Sequence, residues 1–246
     1  MKTYICSNPQ SLGEKAATLA EQKLNNAISE RGYARLILST GASQFETISE
    51  LVNKNVDWSN VEVFHLDEYI DIDINHPASF RRYILDRFAS KVNLKALHMV
   101  NGQGDITRNI KMLTKEIRKS PIDVAFIGIG ENAHIAFNDP PADFDCTEAF
   151  IIVNLDEKCR RQQLREGWFD TLDEVPKKAI SMTVKEIIKC HTIISSVPHS
   201  VKAEAIKKTY ENEITSQVPA TILKKHKDWH LFLDEESAVF VKDYLK

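Results

Sequence analysis

Apolar positions recur every three or four residues across 11–31, where Leu12, Ala16, Leu19, Ala20, Leu24, Ala27 and Ile28 share one face and Gly32 follows as a stop. The spacing predicts an amphipathic helix there. Elsewhere the apolar residues gather in short runs, at 35–39, 61–66, 96–100, 124–129, 149–153, 192–197 and 229–233. Runs of this length, rich in Val, Ile and Leu, read as buried strands. Between them, helical spacing returns at 45–52, 76–88, 106–119 and 182–189, after Pro198, and at 220–225, with a small element at 237–244. Strands alternating with helices predict an α/β fold, a single-domain, doubly wound, mostly parallel sheet with helices on both faces, Rossmann-like in plan. The stretch 156–178 breaks the rhythm. It mixes Arg, Gln, Trp168, Phe169 and Pro176 without a period, and long irregular segments in compact domains often act as lids.

Composition narrows the function classes. One domain over 1–246 is an ordinary size for such a sheet. A formal net charge of −3 gives no basic surface for nucleic acid. No apolar run of about 18 residues is present, so no membrane span is expected, and the first ten residues do not resemble a secretion signal. A cytoplasmic location is the expectation. Cys6, Cys146, Cys159 and Cys190 are too far apart for a short-spaced metal or redox pair and are read as reduced thiols.

Candidate chemistry clusters where strands end, because ligands of open α/β sheets bind beyond the carboxyl ends of the strands. After the run 124–129 come Gly130, Glu131, Asn132, His134, Asn138 and Asp139, with Gly128 and Gly130 free to adopt positive φ. After 35–39, the turn Thr40, Gly41, Ala42, Ser43 leads into a helix, a geometry that offers unpaired N–H groups to a phosphate, although Ser43 could equally serve as a helix cap. After 61–66 come Asp67, Glu68 and Tyr69. A further strand-to-helix turn carries Lys202. Asp71, Asp73 and Asn75 imitate the start of a calcium loop, but His76 stands where Gly is required and Arg82 where a bidentate Glu is required, so no metal site is assigned. His226 and His230 lack the glutamate of a metalloprotease helix and are read as surface histidines.

Three of these segments together, Ser39 to Ser43, Leu66-Asp67-Glu68-Tyr69 with His76-Pro77-Ala78-Ser79, and the stretch from Gly128 to Pro140, resemble glucosamine-6-phosphate deaminase. The segment around Lys202 resembles that family's phosphate-binding lysine. The resemblance implies an enzyme of amino sugar metabolism, classed as a hydrolase, that opens the ring of a hexosamine 6-phosphate, moves a proton from C2 to C1 and releases ammonia. It implies no cofactor, and it leaves a homo-oligomer open. Asp67 would be the proton-shuttling base, and His134 would take the C1 hydroxyl proton. Thr40, Gly41, Ala42, Ser43 and Lys202 would hold the phosphate. Asn132 and Asp139 complete the implied catalytic set.

The chain departs from the family pattern at those last two positions. Where the family has Asp-Gly-His, this chain has Asn132-Ala133-His134, and Asp139 replaces a Glu. Asn132 supplies no charge to an imidazolium, and Ala133 takes positive φ less cheaply than Gly. Arg160, Arg161 and Arg165 all lie near the place of the family's lid arginine. Two alternatives stay open: a 6-phosphogluconolactonase, which shares fold and phosphate turn, and a non-catalytic sugar-phosphate sensor. Which sugar epimer is bound is not legible.

Overall fold

A computed structural model of the chain describes residues 1–165 and 167–245, without the side chains of residues 158 and 245. Along the chain run β1 (Lys2–Cys6), α1 (Pro9–Arg31), β2 (Ala34–Leu38), α2 (Phe45–Leu51), β3 (Val61–His65), β4 (Asp67–Tyr69), α3 (Phe80–Arg87), β5 (Ala96–His98) and α4 (Ile106–Ile117). They are followed by β6 (Val124–Phe126), β7 (Phe150–Asn154), α5 (Glu157–Arg165), β8 (Lys178–Met182), α6 (Val184–Ile187), β9 (Thr192–Val197), α7 (Ala203–Glu211) and β10 (Trp229–Asp234). Seven strands form one sheet in the order β1-β10-β9-β6-β2-β3-β5, every neighbouring pair parallel.

The apolar runs explain why both faces are covered. In β2, Leu36 and Leu38 join the core beneath α1 and α2, while Ile37 between them joins the opposite core, and all three are fully buried. In β3, Val61 and Val63 face the first core and Phe64 the second. A run apolar at both parities can be satisfied only by two layers, and each such side chain contributes about 1.5–3 kcal/mol on burial. Helix α1 is held at both ends. The Asn8 side chain accepts from Ser11 N–H at 2.8 Å, and Gly32, at φ 79°, donates its N–H to Ile28 C=O at 2.7 Å.

Strand order places the site. From β2 the chain proceeds outward through β3 and β5, whereas from β6 it proceeds the other way through β9 and β10. The loops leaving β2 and β6 therefore diverge and open a crevice between them, the switch point at which α/β sheets bind ligands.

Three strands are absent from the sequence reading. β1 is a half-exposed edge strand without clean alternation, and only its pairing with β10 makes it a strand. β4 and β8 belong to a second, antiparallel sheet of three strands, β4-β8-β7. The helix expected over 182–189 shrinks to α6, capped by the Thr183 side chain, because Met182 closes β8. The expected lid stretch 156–178 contains helix α5 and ends in the first residue of β8. The expected helix at 220–225 is a 3-10 turn, Pro219–Lys225. His226 and His230 are not surface residues: they are 7% and 3% exposed. His226 reaches Cys190 C=O at 2.7 Å and His230 reaches Asp228 at 2.9 Å, contacts that satisfy buried rings.

Candidate active site

The crevice between the loops leaving β2 and β6 spans about 880 Å³ with its open mouth counted. One end is built by the turn after β2. Gly41 sits at φ 101°, a conformation Gly reaches without Cβ cost, and Thr40, Ala42 and Ser43 line the crevice beside it. Ser43 makes no helix cap. Its hydroxyl accepts from Gln44 Nε2 at 2.9 Å, and the same amide donates to Ser196 C=O at 3.1 Å, tying the turn to β9. Tyr83 O–H donates to Gly41 C=O at 3.0 Å from the other side. The Gly41 carbonyl and the Ser43 hydroxyl are so occupied, and the N–H groups of such a helix start are donors of the kind that can hold an anion. Lys202 lines the same end, after a turn in which His199 is held at φ 78° and its N–H donates to Asp234 at 2.9 Å.

Asp67, the first residue of β4, lines the crevice at 6% exposure. Burial, with the adjacent Glu68 adding charge of the same sign, pushes its pKa up to about 8. Glu68 points away into a cage of donors: Ser79 Oγ at 2.8 Å, the N–H groups of Tyr69, Phe80 and Arg81, and Arg81 Nε at 3.4 Å. Those bonds at the start of α3 fix β4, and so fix Asp67.

His134 lines the same crevice. Its Nδ1 lies 2.6 Å from Asn132 Oδ1 and 3.1 Å from Asp139 Oδ1, while Asn132 Nδ2 donates to the same Asp139 oxygen at 2.9 Å. Both partners accept, so Nδ1 carries the proton and Nε2 is left as the acceptor nitrogen. Burial would raise the pKa of Asp139, but His134, Asn132 and Cys159 as hydrogen-bond partners and the charge of His134 bring it down to about 2. The carboxylate charge that Asn132 does not supply is thus supplied by Asp139.

Gly130 has a reason the sequence reading did not give. Neither it nor Gly128 lies at positive φ; a Cβ on Gly130 would stand 2.2–2.5 Å from the His134 ring. The glycine is there for close approach. Positive φ falls instead on Ala133 (67°) and Ala136 (49°), both of which sit in the core and hold the tight loop at a cost of order 1–2 kcal/mol each. Asn138, singled out from sequence, is structural: its amide donates to Ile135 and Met182 carbonyls at 2.9 Å.

Helix α5 closes the third side with Gln162 and Gln163, which nothing in an aperiodic polar stretch distinguishes beforehand. None of the three arginines nearby lines the crevice. Arg160 binds the carbonyls of Leu172 and Val175, Arg161 pairs with Glu157, and Arg165 pairs with Glu131 at 2.9 Å. Among the described residues no group of His, Cys, Asp and Glu is placed to hold a metal ion.

Residues 7–232 match the family model described as glucosamine-6-phosphate isomerases/6-phosphogluconolactonase. The chain belongs to that family. Curated relatives named glucosamine-6-phosphate deaminase include one from Thermoanaerobacter sp. (strain X514), 34% identical over 99% of this chain and 96% of its own length. Another, from Staphylococcus saprophyticus, is 36% identical over 88% of this chain and 91% of its own. A solved structure described as a monomeric glucosamine-6-phosphate deaminase superposes with a TM-score of 0.89 at 28% identity, covering 98% of this chain and all of that one. A 6-phosphogluconolactonase from Shewanella baltica superposes with a TM-score of 0.78 at 18% identity over 95% of this chain and 97% of its own, which shows a shared fold. The class hydrolase implied by the resemblance is corrected by these names: the relatives are deaminases, and the family model speaks of isomerases.

Proposed function

We propose that this protein converts glucosamine 6-phosphate to fructose 6-phosphate and ammonia. The observation that carries the reading is the placement of two differently tuned proton carriers, Asp67 and the His134–Asp139 pair, along one crevice that ends in an anion-accepting turn and Lys202. The phosphate sits against the N–H groups of Thr40 to Ser43 and the Lys202 ammonium, which fixes the sugar's far end. His134 Nε2 takes the C1 hydroxyl proton, and the ring oxygen leaves C1 with a proton to give the open aldehyde. Asp67 then removes the proton from C2 and returns it at C1. Ammonia departs from C2, and water supplies the ketone oxygen. The amino group at C2 carries positive charge in the ground state, so its arrival next to Asp67 opposes the burial that keeps the carboxyl protonated.

Helix α5 and the residues after it, within 156–178, act in this reading as a lid over the sugar. The support is the position of Gln162 and Gln163 on the crevice wall and the Arg165–Glu131 pair at its mouth. Hydrogen exchange over 156–178 is expected to slow when a non-reacting aminosugar phosphate binds; slowing confined to other segments would make the stretch a surface connection.

Incubation with a panel of hexosamine 6-phosphates, with ammonia as the readout, tests the activity. Release from glucosamine 6-phosphate is the expected result. Hydrolysis of 6-phosphogluconolactone without ammonia release would assign the crevice to a lactonase. Binding of fructose 6-phosphate without solvent exchange at C1 would make the protein a sensor.

A further inference from the structure

We infer that Tyr69 is a positioning residue, which makes docking of helix α5 and alignment of the two proton carriers a single event; the inference rests on the deaminase reading of the crevice. Tyr69 is 1% exposed and lies two residues after Asp67 in β4. Its hydroxyl donates to Gln163 Oε1 on α5 at 2.5 Å, and Gln163 itself lines the crevice at 5% exposure.

The ring of Tyr69 is equally committed. It packs 5.3 Å from the ring of Phe137, which lies between His134 and Asp139, and 5.7 Å from Phe169 beyond α5. Phe80, at the start of the helix that fixes Glu68, is 5.0 Å away. These contacts belong to a third core, separate from the two that cover the large sheet. It is made of Tyr69, Ile72, Ala78, Phe137 and Ala179 on one side and Leu155, Cys159, Phe169 and Val175 of the α5 region on the other. The third core therefore joins Tyr69, two residues after Asp67, Phe137, three residues after His134, and the α5 region. Cys159 of α5 adds a hydrogen bond to the Asp139 carboxylate. An α5 that only covered the sugar would not need a bond to each side of the reacting centre.

The consequence is that removing only the Tyr69 hydroxyl should impair chemistry more than binding. A neutral hydrogen bond is worth about 1 kcal/mol, so Tyr69→Phe and Gln163→Met should each lower kcat about five- to tenfold. Inhibition by fructose 6-phosphate should change less than twofold, since the phosphate end is built from other elements. The Tyr69→Phe/Gln163→Met double variant should be no slower than either single one, because both remove the same bond. Unchanged kcat in both single variants, losses that multiply in the double variant, or losses matched by weaker inhibition would each overturn the inference and leave Tyr69 a core residue. A natural protein that releases no ammonia would overturn the deaminase reading and the inference together, whereas an active protein with indifferent variants overturns the inference alone.

Discussion

Asn132 occupies a place that only an amide fills without changing charge. Its oxygen accepts from His134 Nδ1 at 2.6 Å and from His134 N–H at 3.1 Å, while its nitrogen donates to Asp139 Oδ1 at 2.9 Å. Asn132→Asp puts a carboxylate oxygen where that nitrogen stands. Two like charges about 3 Å apart in a half-buried site repel by up to roughly 5 kcal/mol at an effective dielectric of 20, and the pair relieves this by drawing a proton toward itself. The nearest group able to hold one is the His134 imidazole. Its protonated form would then face two carboxylates, and even a quarter of that energy, about 1.4 kcal/mol, raises its pKa by one unit. Protonated His134 cannot accept the C1 proton, so the acidic limb of kcat/KM, followed by ammonia release, should move up by about one pH unit or more. Asn132→Asp combined with Asp139→Asn restores a single charge and should bring the limb back. The reasoning fails if an NMR titration of the His134 ring does not move in the single variant. If the ring titration moves and the limb does not, His134 is not the group that limits kcat/KM.

Three further outcomes follow from the same geometry. Asp67→Asn should lower kcat by about 10²–10⁴ and raise thermal stability near pH 7: a carboxyl whose folded pKa of about 8 exceeds its unfolded value of 3.8 costs stability increasingly as pH rises through that window, and the amide removes the cost. A less stable variant in thermal melts, or one keeping half its activity, refutes this. Lys202→Ala should raise KM for phosphorylated sugars far more than it lowers kcat, because a contact to the remote phosphate is made in ground and transition states alike; equal losses in kcat and kcat/KM would assign Lys202 to the chemistry. Gly130→Ala should abolish activity by displacing the His134 ring, on which its Cβ would intrude at 2.2–2.5 Å, while circular dichroism shows the fold retained. A fully active Gly130→Ala protein would mean that the ring need not sit where it does.

Sequence pattern carried the large sheet because its strands are buried on both faces and announce themselves as apolar runs; Thr192–Val197 begins and ends where the run does. The second sheet was not legible for the opposite reason. β4 is three residues of Asp67, Glu68 and Tyr69, and it is a strand only because Ser181, Ile180 and Ala179 of β8 pair with it. Candidate residues at strand ends were legible because chemistry requires uncommon residues there, and Thr40 to Ser43, Asp67, His134 and Lys202 do line one crevice. Asn132 and Asp139 stand behind His134 rather than on the wall. Gln162 and Gln163 escaped because a glutamine on a polar helix looks the same whether it faces water or ligand. The role of Gly130 escaped because close approach to a ring four residues on is a tertiary fact.

The two aspartates show how one residue type can be set to opposite tasks. Asp67 lies in a wall with Leu66, Phe80 and Phe137 and beside Glu68, so burial and like charge hold its proton until about pH 8. Asp139 is also largely buried, but donors surround it, and it stays ionised down to about pH 2. Between those limits, at neutral pH, the crevice wall carries one carboxylic acid and a carboxylate stands behind His134. An environment that drives like groups apart in this way separates a proton that can be moved from a charge that stays in place. The first property suits a group that carries hydrogen between neighbouring carbons, and the second suits one that orients an imidazole. Exchanging them would leave the carbon-bound proton facing a carboxylate too weakly basic to remove it, and the histidine beside a carboxyl without charge. The two environments thus support the proposed assignment of Asp67 to the carbon-bound proton and of His134 to the hydroxyl proton, the roles that the family resemblance implies.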